Sequence, residues 1–174
     1  MKKILIVVDM QNDFIDGTLG TKEAQAIVPK VRDKIKRCLT EKYDIVFTRD
    51  THSENYLETN EGKNLPIPHC IEGTDGWQIK EELCYDDMYC VNKSTFGYLN
   101  WNLLGIDFND VESIEIIGVC TDICVVSNAL ILKAMYPNID IMVDASCCAG
   151  VTPESHQAAL ATMKMCQINV IGEQ

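Results

Sequence analysis

A chain of 174 residues holds one domain with a sizeable core and is too short for two ordinary ones. Its residues, 24% charged and 47% apolar, are an ordinary globular mixture. A formal net charge of −11 argues against nucleic acid, or an anionic membrane surface, as a partner.

The first apolar run, Ile4 to Val8, is stopped by Asp9 and is shorter than the h-region of a signal peptide. It reads instead as a strand over residues 3–8, buried on both faces. Val28, Val31, Ile35 and Leu39 then recur at helical spacing within residues 21–42. A second strand spans residues 44–48, followed by Arg49 and Asp50. From Thr51 to about Ile79 the chain is polar, with Gly62, Pro66, Pro68, Gly73 and Gly76 and no regular period. A loop that long inside a compact domain is usually functional. Strands follow over residues 88–92, 113–117, 139–143 and 167–171, with helices over 121–135 and 153–165. Apolar strands alternating with helices predict one α/β domain over residues 1–174, a three-layer α/β/α sandwich on a mostly parallel six-stranded sheet, Rossmann-like in plan. No stretch approaches the roughly 18 apolar residues of a membrane span. The protein reads as cytoplasmic.

In such sheets ligands bind beyond the carboxyl ends of the strands. Asp9 follows strand one, Asp50 and His52 strand two, Lys93 strand three, and Gly118-Val-Cys-Thr-Asp-Ile-Cys124 strand four. Reactive groups thus converge on one rim. The nine cysteines, at 38, 70, 84, 90, 120, 124, 147, 148 and 166, are odd in number and scattered. They form neither a disulfide framework nor a Cys-x-x-Cys metal or redox pair, and each is by default a small buried hydrophobe. Cys124 stands apart. With Thr121 as N-cap it falls in the first turn of a helix, where free amides and the macrodipole favour a thiolate. The amides of Cys120 and Cys124 form a candidate oxyanion hole, Lys93 lowers the thiol pKa, and Asp9 takes its proton.

Val7-Val-Asp-Met-Gln-Asn-Asp-Phe14, Asn92-Lys-Ser94 and Gly118-Val-Cys-Thr-Asp-Ile-Cys124, in that order, resemble the isochorismatase-like cysteine hydrolases. The resemblance implies a catalytic triad of Asp9, Lys93 and Cys124, and a cis peptide at Val119-Cys120. It extends to the nicotinamidase branch through the long loop. There Asp50, His52 and His69, preceded by Pro68, match metal ligands, and Glu61 matches a fourth, with Glu58 as the fallback. The implied cofactor is a divalent metal, zinc first, with manganese or iron as alternatives. Asp and His donors suit such an ion in any case. Phe14 matches a residue that packs on the substrate ring. The branch's second aromatic is absent, Leu65 and Pro66 lying in its stretch, and Tyr98, Phe96 or Trp101 is left to replace it. His156 reads as surface or helix-start structure.

The implied reaction is hydrolysis of nicotinamide to nicotinic acid and ammonia through a Cys124 thioester, a step of NAD salvage. A small-molecule amide is the partner, and the resemblance suggests a homo-oligomer. Two other readings stay open: a cysteine amidohydrolase of the same superfamily acting on a carbamoyl or ureido acid without a metal, and a thiol-rich redox or binding protein. The second has little to stand on, since neither Gly-x-Gly-x-x-Gly nor a phosphate loop is present and adjacent Cys147 and Cys148 are poorly placed for a disulfide.

Overall fold

The computed structural model describes residues 1–173, with Gln174 outside the described residues. Its elements run β1 (Lys2–Val8), α1 (Asn12–Ile15), α2 (Lys22–Thr40), β2 (Asp44–Asp50), α3 (Asn60–Asn64), β3 (Tyr89–Lys93), β4 (Val111–Val119), α4 (Val126–Met135), β5 (Asp140–Ala149), α5 (Pro153–Met165) and β6 (Asn169–Ile171). The six strands form one parallel sheet in the order β3-β2-β1-β4-β5-β6. Chain direction across the sheet reverses between β1 and β4, so the crevice at their carboxyl ends is the natural ligand site.

Both faces of the sheet are covered, which is why its strands read as continuous apolar runs rather than alternating ones. Leu5, Val7, Phe47, Ile117 and Val119 pack with Ile27, Val28, Val31 and Ile35 of α2. On the other face Ile4, Ile6, Ile114, Ile116 and Val143 meet Ala129 and Leu132 of α4 and Leu160 and Met163 of α5. Thr21 caps α2 by accepting from the Ala24 amide, and Thr152 and Ser155 form a reciprocal cap on α5.

β5 runs six residues beyond the 139–143 segment expected. Asp144 looks like a terminus in sequence, but its carboxylate stays inside the fold. It lies 2.6 Å from Lys34 Nζ, and Lys34 also contacts Glu115; all three are buried. Asp144 Oδ1 accepts from both the amide and the hydroxyl of Ser146, building a bulge that shifts the β4–β5 register before Gly118 pairs with Cys148. Lys34→Met removes the one cation between two buried carboxylates and is expected to lose about 3–5 kcal/mol, read by urea denaturation. Burial works against Asp144 ionising, but the bonds from Lys34 and Ser146 hold its pKa below the ordinary carboxylate value. A depressed carboxylate contributes stability that is complete above the unfolded pKa of about 3.9 and is lost as pH falls through the folded value. Asp144→Asn is therefore expected to flatten the acid limb of the stability curve.

At Gly118 the backbone turns to φ +118°, and a Cβ there would sit 2.1 Å from the Val8 carbonyl oxygen. Only glycine fits. This close approach of β4 to β1 brings the end of one strand, and Cys120 beyond it, against the end of the other at Asp9.

Candidate active site

Asp9, Lys93 and Cys124 meet in the β1/β4 crevice. Asp9 is fully buried, with a left-handed backbone (φ +48°) that turns its side chain inward from the end of β1. Its Oδ1 accepts from Thr48 Oγ1 at 2.6 Å, and its Oδ2 lies 2.6 Å from Lys93 Nζ. Lys93, the last residue of β3, also reaches Cys124 Sγ at 3.6 Å and Asp50 Oδ1 at 3.3 Å. One ammonium thus ties together a thiol and two carboxylates, all almost wholly excluded from water.

The electrostatics differ from the expected activated thiolate. Burial, then the Asp9 charge, pushes the Cys124 thiol well above its ordinary pKa, and Lys93 offsets this only partly. Burial likewise raises Asp9 despite Lys93, whereas burial of Lys93 is overcome by Asp9, Cys124 and Asp50, so Lys93 stays protonated. Burial thus favours the neutral thiol at Cys124, while Lys93 keeps its charge.

The helix start also differs. Thr121 is not an N-cap: its Oγ1 bonds His156 Nδ1 at 2.8 Å, and residues Thr121–Val125 form a wide turn before α4. The amides of Ile123 and Val125 both donate to the Cys120 carbonyl. Cys124 therefore sits on a π-type turn, a form that recurs at functional sites, rather than at the third position of a capped helix. His156, taken from sequence as surface or helix-start structure, is half-buried and buttresses that turn. The Val119-Cys120 peptide is cis, as the resemblance implies.

Asn128, one helical turn beyond Cys124, is buried and donates to the Cys124 carbonyl at 2.8 Å while accepting from the Tyr98 amide at 2.8 Å. It fastens the Cys124 turn to the loop after β3. The Tyr98 ring itself packs edge-on against buried Trp101, centroids 5.1 Å apart, and Phe96 is half exposed.

Asp50, His52, Glu61 and His69 form a second group beside the first. Their donor atoms all lie within 4.8 Å of one another. His52 Nε2 is 2.9 Å from Asp50 Oδ2, and Glu61 Oε1 is 3.7 Å from Nε2 of each histidine. Glu61, and not Glu58, supplies the fourth donor; the Thr59 cap on α3 holds it there. His69 Nδ1 donates to the Ile67 carbonyl at 2.8 Å, which turns Nε2 towards the cluster, 3.6 Å from Asp50 Oδ2. Two imidazole nitrogens and two carboxylates, three of the four residues buried, fit a divalent transition metal. Asp50 links the halves, Oδ2 towards the histidines and Oδ1 towards Lys93. Burial opposes its charge, but hydrogen bonds from His52 and His69, with Lys93, hold it well below the usual carboxylate range.

Supporting residues escaped the sequence reading. Gln11, wholly buried, clamps Asp50 by accepting from its amide at 2.7 Å and donating to its carbonyl at 2.8 Å. Tyr56 stands edge-on to both histidine rings, 4.8 and 5.0 Å away, and donates to the Leu65 carbonyl. Gln11 lies inside the motif that contains Asp9, and Asn128 lies four residues from Cys124, so spacing offered a hint of each. Nothing in the sequence marks Tyr56. Phe14 is at the site's edge, its ring 5.5 Å from that of His69.

Fold and site define a parallel α/β enzyme architecture with a buried thiol–carboxylate–ammonium cluster at the switch point. Residues 3–174 match the isochorismatase domain, and the chain belongs to the isochorismatase family. It is similar to the zinc-bound crystal structure of a pyrazinamidase from Pyrococcus horikoshii, with 30% identity, a TM-score of 0.81, and coverage of 99% of this chain and 100% of that one. The nicotinamidase/pyrazinamidase of Mycobacterium tuberculosis is 24% identical over 97% of this chain and 98% of its own. The nicotinamidase of Schizosaccharomyces pombe is 26% identical over 97% and 92% respectively. Among the described residues, no helix is long and apolar enough to cross a membrane.

Proposed function

We propose that this protein is a nicotinamidase-type amide hydrolase acting through a Cys124 thioester, with a divalent metal, zinc first, on Asp50, His52, Glu61 and His69. The observation that carries the proposal is the bridging of the two groups by Lys93 and Asp50. A triad for acyl transfer and a four-donor cluster share one desolvated crevice. The similarity to named nicotinamidases and to a zinc-bound pyrazinamidase supports it.

In this reading Asp9 takes the Cys124 proton as sulfur attacks the amide carbonyl. The oxyanion is held by the amides of Cys120 and Cys124, and Ile123 and Val125 hold the turn by bonding the Cys120 carbonyl. Asp9 returns the proton to the departing ammonia. It then deprotonates the water that cleaves the thioester and releases the acid, and the thiol re-forms. Lys93 stays charged throughout and balances Asp9 and Asp50. The metal, when bound, would supply a Lewis-acid contact for the pyridine nitrogen and so orient the ring, with Phe14 packing beside it. The same reading assigns Tyr98 a substrate contact; its backbone amide is tied to Asn128 and its ring rests on Trp101. The same reading takes the enzyme as a cytoplasmic homo-oligomer.

Ammonia release from nicotinamide is expected, with loss on treatment with a strong chelator and recovery on adding back zinc, manganese or iron(II). Metal analysis should give close to one ion per chain. Activity untouched by chelator in metal-free protein contradicts the metal half. It favours instead an amidohydrolase of carbamoyl or ureido acids, which the triad alone would serve.

A further inference from the structure

The turn that carries the proposed nucleophile is fastened on two sides, and the amide-hydrolase reading uses only one of them. On the inner side Ile123 and Val125 donate to the Cys120 carbonyl, and Asn128 donates to that of Cys124. On the outer side two successive residues reach the entry to α5. Thr121 Oγ1 meets His156 Nδ1 at 2.8 Å, and the Asp122 carboxylate accepts from the Val151 amide at 3.1 and 3.2 Å. The Asp122 bond is exposed, so water competes for both partners. The Thr121 bond is sheltered. Thr121 is wholly buried, and His156 is the one partner of its hydroxyl among the described residues.

The seating of α5 does not depend on the imidazole. Leu160 and Met163 anchor the helix in the core, and Thr152 with Ser155 caps it. Gly150 packs against the backbone of residue 156: a Cβ on it would stand 2.9 Å from His156 Cβ and 3.0 Å from its Cα and N. The ring is therefore spare to the helix and engaged with the turn. Burial holds its pKa below the ordinary value, with Asp122 and Glu173 acting the other way, so at neutral pH it is uncharged. An uncharged imidazole has one accepting nitrogen, and Nδ1 is the one placed for the Thr121 hydroxyl. A buried hydroxyl without a partner is costly. Without the ring, Thr121 regains a partner only if the turn shifts or water enters it, and either displaces the amides on both sides.

We propose that His156 is a positioning residue for the reaction: through Thr121 it holds the turn from Cys120 to Cys124 where its amides meet the developing oxyanion. The inference rests on the amide-hydrolase reading and adds to it a residue of the last helix. Amides aimed at a developing charge act in the transition state, so displacing them lowers kcat and leaves KM.

The test measures kcat and KM for nicotinamide in His156→Ala, Thr121→Val and the double variant. Each single change is expected to lower kcat by about ten- to a hundred-fold, as a misplaced catalytic geometry does, with KM within about two-fold. The double variant should lose no more than the worse single one, because both remove the same bond. His156→Asn brings an amide oxygen to the place of Nδ1 and should recover most of the rate. His156→Gln reaches the place of Nε2 instead and should not, a contrast that still decides if a truncated variant fails to fold. Ser155→Ala breaks the α5 cap without touching Thr121, so it should lower the urea midpoint and leave kcat near wild type. A loss carried in KM, losses that add, equal rates in the Asn and Gln variants, or a Ser155→Ala as slow as His156→Ala overturns the assignment. Hydrogen exchange of peptides covering residues 120–126 decides the same claim without a substrate. Exchange should rise in His156→Ala and Thr121→Val and fall back in His156→Asn, with the rest of β4 and α4 unchanged. A wild type that releases no ammonia removes the amidase reading, and raised exchange then keeps His156 as the clamp of the turn. Unchanged exchange removes the clamp whatever the turnover.

Discussion

Cys124→Ala is expected to lower ammonia release from nicotinamide by about four orders of magnitude or more, with the fold intact. Replacing a group that acts as part of a nucleophilic unit removes nearly the whole of that unit's contribution. The side chain is small and nearly buried, and alanine leaves only the space of one sulfur, so the stability cost is small beside the kinetic one. Cys124→Ser should fare little better. A serine hydroxyl in this desolvated pocket is a much weaker acid than the thiol, and the thiol is already raised. Far-ultraviolet circular dichroism and a urea midpoint close to wild type would show that the loss is chemical. The other eight cysteines give the contrast. Cys84 and Cys166 are exposed and lie away from the crevice, so Cys84→Ser and Cys166→Ser should leave the rate within about two-fold, as surface substitutions do.

Lys93→Met has the second largest expected effect and should register in stability as well as rate. Lys93 Nζ is the one cation among Asp9, Asp50 and the Cys124 sulfur, at 2.6, 3.3 and 3.6 Å. Its removal leaves two nearly water-free carboxylates facing each other. Breaking a buried ion pair from one side costs about 3–5 kcal/mol. One carboxylate escapes that cost by protonating, and Asp9, already raised by burial, is the group to do so. A protonated Asp9 is no longer a base. Activity should therefore fall by at least about three orders of magnitude, with a residual pH–rate profile displaced to higher pH. Asp9→Asn provides the control. It removes the base yet also removes a buried negative charge, leaving Lys93 paired with Asp50. It should match Lys93→Met in lost activity and exceed it in stability, as read by urea denaturation.

The sheet was legible because each buried strand is an apolar run closed by a charged or small residue, and the charged ones, Asp9, Asp50 and Lys93, are also the site. The grouping of Asp50, His52 and His69 was suggested by the family resemblance of the long loop more than by their spacing, and the structure brings the three together. It brings Glu61, not Glu58, into that group, on the first turn of the Thr59-capped α3. What escaped has a common physical origin. Asp144 reads as a strand end because a lone carboxylate belongs at a surface; its partner Lys34 lies 110 residues earlier, on a helix whose charges otherwise face solvent. Thr121 reads as a cap because the hydroxyl suits that role, but His156, from the last helix, claims it. The expected thiolate assumed an exposed helix start, whereas burial and the Asp9 charge act in the opposite direction. Long-range pairing and desolvation are properties of the packed chain, and local spacing carries neither.

The central claim is that acyl transfer passes through the Cys124 sulfur. Its most direct measurement is mass spectrometry of wild-type enzyme acid-quenched during turnover of nicotinamide, in parallel with turnover in hydroxylamine. The account predicts a nicotinoyl group on the peptide containing Cys124, absent from Cys124→Ala, and diversion of product to the hydroxamate. An acyl group on any other residue, or full turnover with Cys124 never modified and no hydroxamate formed, would contradict it.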